Sequence, residues 1–162
     1  MFRKIKNILL RIIYILLIIY LLIFVPTLWG KKPLVIVSGS MEPVLKVGGI
    51  VYYKDYAIND FKEGDIVVYK IPSDIISHRL VNITDNGLIT KGDMNNTYDN
   101  ILITEDIILG LANNWSIAYI GYYAHFIYTH KYLLIITILL IITDVIVEKY
   151  QSKKKVISNE KS

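Results

Sequence analysis

Residues 12–30 read IIYILLIIYLLIFVPTLWG, with no charged side chain between Arg11 and Lys31. At about 1.5 Å per residue the run spans roughly 28 Å as a helix, close to the hydrocarbon thickness of a bilayer. A cleavable leader has a shorter apolar core and ends in small residues. This run ends in Thr27-Leu28-Trp29-Gly30. It is read as a retained membrane helix over residues 8–29, preceded by a basic N-terminus over residues 1–7. Pro26 falls near its outer end, and Arg11 is placed to reach back toward headgroups from the first turns.

A second apolar run, YLLIITILLIIT, occupies residues 132–143. Extended to 128–147 it is long enough to span again, with Asp144 in the last turns in need of water or a partner. The alternative is a core helix of the middle domain, but a segment nearly all Leu and Ile has no polar face to show to water. Arg3, Lys4 and Lys6 precede the first run, and Lys149, Lys153, Lys154 and Lys155 follow the second. The excess of basic residues at both ends puts both termini in the cytoplasm and residues 30–127 outside. Residues 148–162 are then a basic cytoplasmic tail, expected to be disordered after Lys155.

The chain is 54% hydrophobic and carries a net charge of +4. Residues 31–131 hold nine basic against eleven acidic residues, so the positive excess lies at the ends and gives no nucleic-acid footprint. With no cysteine, disulfides, thiolate metal sites and cysteine nucleophiles are excluded. No cofactor and no metal are expected.

Between the two runs the sequence is mainly β. Leu34–Val37, Gly49–Tyr53, Asp65–Tyr69, Arg79–Ile83 and Leu88–Thr90 are short, β-branched and aromatic, and are separated by turn residues. Asp85-Asn86-Gly87 suits a hairpin turn. Residues 107–120 are expected to add one or two strands. The fold expected is a small antiparallel β domain between two transmembrane helices. Tyr122, Tyr123 and Tyr128 fit an interfacial belt or a general bias toward tyrosine equally well.

Ser38-Gly39-Ser40-Met41-Glu42-Pro43 follows the first helix and the first strand as an exposed elbow. Serine is a weak nucleophile and needs a base. His78 is the imidazole well away from the bilayer, whereas His125 and His130 lie at the second helix. Histidine accepts a proton near neutrality, and as a base it needs a carboxylate to fix its tautomer. Residues 91–99, KGDMNNTYD, offer two, Asp93 and Asp99.

SGSMEP behind a membrane helix, His78-Arg79, and Gly92-Asp93-x-Asn95-x-x-x-Asp99 together resemble the type I signal peptidases. The resemblance is to the endoplasmic-reticulum-type branch of eukaryotes, archaea and endospore-forming bacteria, which has histidine where the common bacterial branch has lysine. Gly64–Tyr69 is similar to the family's Gly-Asp-plus-strand segment. Gly48-Gly49 departs from a frequent Gly-Asp and is expected to affect a turn alone.

The resemblance implies a membrane-bound serine endopeptidase that cuts signal peptides from exported preproteins after small residues. It implies Ser40 as nucleophile, His78 as general base, Asp99 as the carboxylate orienting His78, and Asp93 as support for the site or its loop. The Ser40 N–H and the Ser38 hydroxyl are implied as the oxyanion hole, with Met41 and Val37 lining shallow substrate pockets. Preproteins, the lipid bilayer and the protein-export channel are the implied partners, in a two-pass arrangement in the cell membrane. Competing readings are an inactive homologue or non-catalytic subunit, a self-cleaving regulatory protease, and an ectodomain binding metal through Asp93, Asn95 and Asp99.

Overall fold

A run dominated by Leu and Ile, with no helix breaker before Pro26, dictates the first element. In the computed structural model, which describes residues 2–56 and 60–160, helix α1 runs Phe2–Phe24. A 3-10 stretch, Val25–Trp29, continues it with Pro26 near its start, and Gly30 closes it in the left-handed conformation. The helix therefore begins earlier than residue 8 and takes in the basic residues, because Lys, Arg and Asn in that stretch do not break a helix. Proline, lacking an N–H, tightens the end from α to 3-10. Residues Lys4–Trp29 form the one helical span, among the described residues, long and apolar enough by itself to cross a membrane. Its large apolar side chains are exposed along most of its length.

Six strands follow: β1 Lys32–Val35, β2 Ile50–Lys54, β3 Ile66–Lys70, β4 Ile75–Thr84, β5 Gly87–Lys91 and β6 Ile108–Ala112. They form one antiparallel sheet in the order β1-β2-β6-β3-β4-β5. The expected β domain is thus present, with a single strand in residues 107–120. β3 lies inside the sheet, and its Ile66–Tyr69 are wholly buried. Ile66 packs with Met41, Leu45 and Val51 on one side, while Val67 and Tyr69 pack with Phe61, Leu80 and Leu88 on the other. Alternation along the strand explains the division. β4 and β5 form the expected hairpin, closing at Thr84↔Gly87, with a register shift between Leu80 and Asn82.

Gly48-Gly49 is more than a turn variant. The Gly121 N–H donates to the Gly48 carbonyl at 2.9 Å. A Cβ at Gly49 would stand 2.8 Å from the Lys46 carbonyl oxygen, so an aspartate there would displace backbone. Gly48 has φ +74° beneath the Tyr122 ring. Tyr122 is therefore a packing residue of this unit, whichever belt it joins.

Tyr20–His125 form one compact unit; residues up to Ile19 and those from Phe126 onward form another. Residues 128–147 are not one straight helix. Helix α2, Ile120–Thr129, and helix α3, Lys131–Glu160, meet at a bend of 88°, and they are long and apolar enough to cross a membrane only if the bent pair is one span. His130 marks the break: its Nδ1 and N–H both donate to the Phe126 carbonyl, capping α2, and Leu133 N–H donates back to the His130 carbonyl. Asp144 finds its partner in Lys6 at 2.6 Å. The C-terminal segment continues α3 to Glu160 rather than losing structure after Lys155, since its Lys, Glu and Gln residues are good helix formers. Met1, the internal residues 57–59, and the last two positions of the expected tail, 161–162, lie outside the described residues.

Candidate active site

Pairing within the sheet brings the chemistry-bearing residues together. Register sets Tyr69 opposite Ile76, Val67 opposite His78 and Leu80 opposite Thr90. Side chains two apart share a face, so Tyr69, His78 and Thr90 project to the same side of neighbouring strands β3, β4 and β5. The segment after β5 folds back over that side, held by Asp99 N–H to the Thr90 carbonyl at 2.9 Å. Asp99 thereby faces all three side chains.

Ser40 Oγ lies 3.0 Å from His78 Nε2, and His78 Nδ1 lies 2.7 Å from Asp99 Oδ2. With Asp99 ionised, Nδ1 carries the proton and Nε2 is the acceptor facing the serine. His78 is 8% exposed, so its ring is shielded yet open on the side of Ser40. The same Asp99 oxygen accepts from Tyr69 Oη at 2.9 Å and Thr90 Oγ1 at 2.6 Å. Burial, and then the facing Asp99 carboxylate, push the Tyr69 hydroxyl well above the usual tyrosine range, so it stays a donor.

Asp93 does something else. Both its oxygens accept from Arg79, from Nε and Nη2 at 2.7 Å each, and Arg79 Nη1 donates to the Gly64 carbonyl at 2.6 Å. His78 and Arg79 are adjacent in β4 and point to opposite faces, which sends one to Asp99 and the other to Asp93. The Asp93 carboxylate raises the Arg79 guanidinium further above its ordinary value. Of the alternative ligand set of Asp93, Asn95 and Asp99, the two carboxylates are engaged with different partners, Arg79 and His78.

The Ser40 elbow is held from behind. Met94 N–H donates to the Ser40 carbonyl at 2.9 Å, and a Cβ on Gly92 would lie 2.7 Å from that carbonyl. Glycine at 92 lets this loop close on the serine. Ser38 Oγ stands 3.3 Å from Ser40 Oγ. The Ser40 N–H makes no backbone hydrogen bond among the described residues. An apolar cleft of about 360 Å³ opens beside the pair, lined by Leu34–Ser38 and Met41 on one wall and Asp74–His78 on the other. Met41 is 1% exposed and Val37 is 77% exposed, so Met41 forms floor and Val37 rim.

The residues singled out in the sequence thus meet at one place, except Asp93, which is turned toward Arg79. Sequence reasoning missed Tyr69, Thr90 and the pairing of Arg79. The one signal for the last was its position next to His78.

A family model described as signal peptidase, peptidase S26, matches residues 7–97, more than half of the chain. The chain belongs to the S26 signal peptidase family. The resemblance read from its motifs is borne out. This S26 chain is similar to signal peptidase I W of Bacillus subtilis (strain 168), 28% identical over 118 residues, covering 64% of this chain and 62% of that protein. It is also similar to the human signal peptidase complex catalytic subunit SEC11C, 35% identical over 94 residues, covering 53% of this chain and 46% of that protein. The matches therefore span less than two thirds of these relatives. Ser40 and His78 lie inside the S26 match, whereas Asp99 lies just beyond it.

Proposed function

We propose that this protein is a membrane-anchored serine endopeptidase that removes signal peptides from exported preproteins. The observation that carries the reading is the chain of contacts Ser40–His78–Asp99 at 3.0 and 2.7 Å beside an apolar cleft. His78 Nε2 takes the Ser40 proton as Oγ attacks the scissile carbonyl, and Asp99 stabilises the imidazolium that forms. The Ser40 N–H and the Ser38 hydroxyl are the donors for the oxyanion, each worth about 3 kcal/mol in such sites. His78 then protonates the leaving amine, and water attacks the acyl-Ser40 with His78 again as base.

The cleft suits an extended peptide. Among the described residues β5 pairs with β4 only from Arg79 onward, so Ile75–His78 have one backbone edge to offer a further strand. Its apolar floor, with Met41, suits small side chains before the cut. Arg79 and Asp93 support the loop that carries Asp99.

Residues 30–127 are proposed to face the extracytoplasmic side, with both basic ends in the cytoplasm. The Lys6–Asp144 pair supports placing the two basic ends on the same side, because it joins α1 near its start to α3. The second anchor is then α2 and α3 together. An enzyme so tethered meets membrane-inserted leaders, beside the export channel, at high effective concentration.

The test is processing of a preprotein by the purified chain in lipid. Ser40→Ala and His78→Ala should each abolish it, and the double variant should be no worse than either. Wild-type rates in either single variant would remove the mechanism.

A further inference from the structure

We propose that Tyr69 and Thr90 are positioning residues that clamp Asp99 in the orientation His78 needs. The inference rests on the catalytic reading of Ser40, His78 and Asp99 and extends it to two residues outside that trio. Three donors converge on one oxygen, Asp99 Oδ2: Tyr69 Oη at 2.9 Å, Thr90 Oγ1 at 2.6 Å and His78 Nδ1 at 2.7 Å.

Thr90 is 0% exposed and is, with His78, one of the two buried polar residues among those described. A hydroxyl in such a place costs stability unless it is bonded, and valine would fill the same space without that need. Tyr69 is likewise fully buried, among Val67, Leu80 and Ile103, where phenylalanine would pack as well. Both hydroxyls go to the carboxylate facing the histidine. The Tyr69 ring also stands edge-on to the His78 ring, centroids 6.4 Å apart.

Two consequences follow for the chemistry. Bonds from β3 and β5 leave the Asp99 carboxylate one rotamer, so the His78 ring is held with Nε2 toward Ser40. The same bonds hold Oδ2 of Asp99 against Nδ1, which fixes the tautomer that leaves Nε2 to accept from Ser40. A clamp of this kind acts on the rate of the chemical step and leaves the substrate cleft untouched.

The experiment uses the full chain in lipid, with preprotein processing resolved into kcat and KM. Tyr69→Phe and Thr90→Val remove one hydroxyl each and keep the packing; Thr90→Ser keeps the hydroxyl and removes the methyl. Loss of one hydrogen bond to a charged group corresponds to about tenfold in rate. Tyr69→Phe and Thr90→Val should each lower kcat by about that factor with KM unchanged, while Thr90→Ser stays close to wild type.

A second readout, nitrogen NMR of 15N-histidine-labelled protein, reads the His78 tautomer without substrate. The Nδ1–H form should dominate in the wild type and lose population in the two hydroxyl deletions. Unchanged kcat and an unchanged tautomer in both deletions would overturn the clamp, as would equal losses in Thr90→Ser and Thr90→Val. If Thr90→Val fails to fold, Tyr69→Phe decides by the same two readouts. An inactive wild type whose tautomer still responds would count against the catalytic reading and leave the clamp standing.

Discussion

Replacing Asp93 by asparagine separates the two carboxylates that the sequence sets side by side. The carboxylate receives Nε and Nη2 of Arg79, both at 2.7 Å, in a two-pronged ion pair whose side chains are 27% and 17% exposed. Asparagine keeps one acceptor and turns an NH2 against the other guanidinium donor. One charge-assisted bond, worth roughly 1.5–3 kcal/mol, is lost. Breaking a fully buried pair costs about 3–5 kcal/mol, and the partial exposure here lets water replace part of it. The expected cost is about 2 kcal/mol, or about 10 °C in unfolding temperature for a domain near 100 residues. Arg79 keeps its bond to Gly64, so the loop should loosen without detaching. The Asp93 carboxylate bonds to Arg79 and, among the described residues, to neither Ser40 nor His78, so kcat for preprotein processing at 25 °C should stay within a few-fold of wild type. Asp99→Asn should do the reverse, with folding intact and kcat lost. The assay is thermal unfolding by intrinsic fluorescence beside processing of the same preparation. An Asp93→Asn protein with unchanged unfolding temperature and no processing would refute the assignment.

Gly92→Ala places a Cβ 2.7 Å from the Ser40 carbonyl oxygen; the backbone must move, and a misplacement of up to about 1 Å at a nucleophile costs up to about 100-fold. Processing should drop steeply while circular dichroism is retained, and a fully active variant would show that this contact does not set the serine. Tyr69 has its hydroxyl pushed up by burial and by Asp99, so above pH 10 the unfolded chain releases its proton first. The contribution is complete below that pH and lost as pH rises toward the folded value. Denaturant unfolding between pH 8 and pH 11.5 should weaken on the alkaline side, and Tyr69→Phe should flatten that limb. A cysteine at Asp60 should react with an impermeant reagent from outside the cell and one at Ser152 should not; the opposite pattern would invert the topology.

The strands around Gly49–Tyr53 and Asp65–Tyr69 were legible because β-branched runs stand between turn residues, and the structure moves each by one residue. β1 is shifted to Lys32–Val35 by its pairing with β2, Lys32↔Tyr53 through Val35↔Ile50, which its own hydrophobicity does not encode. β4 begins at Ile75 rather than Arg79, so His78 sits within a strand opposite Val67 and not ahead of one. Ser40 and His78 stood out by residue type and order, whereas Asp99 was set apart from Asp93 only by the resemblance to the signal peptidases. Which aspartate meets the histidine depends on the face each side chain takes, and that is decided by strand register. Tyr69 and Thr90 look in sequence like ordinary strand residues; their convergence on Asp99 exists only once β3, β4 and β5 are aligned. The bend at His130 has no proline or glycine to announce it.

The central claim is tested most directly by incubating the purified chain, reconstituted in lipid, with a preprotein and mapping the products by mass spectrometry, wild type beside Ser40→Ala. The wild type should make one cut, after a small residue at the end of the signal peptide, and Ser40→Ala none. A cut at the same bond at the same rate by Ser40→Ala would contradict it.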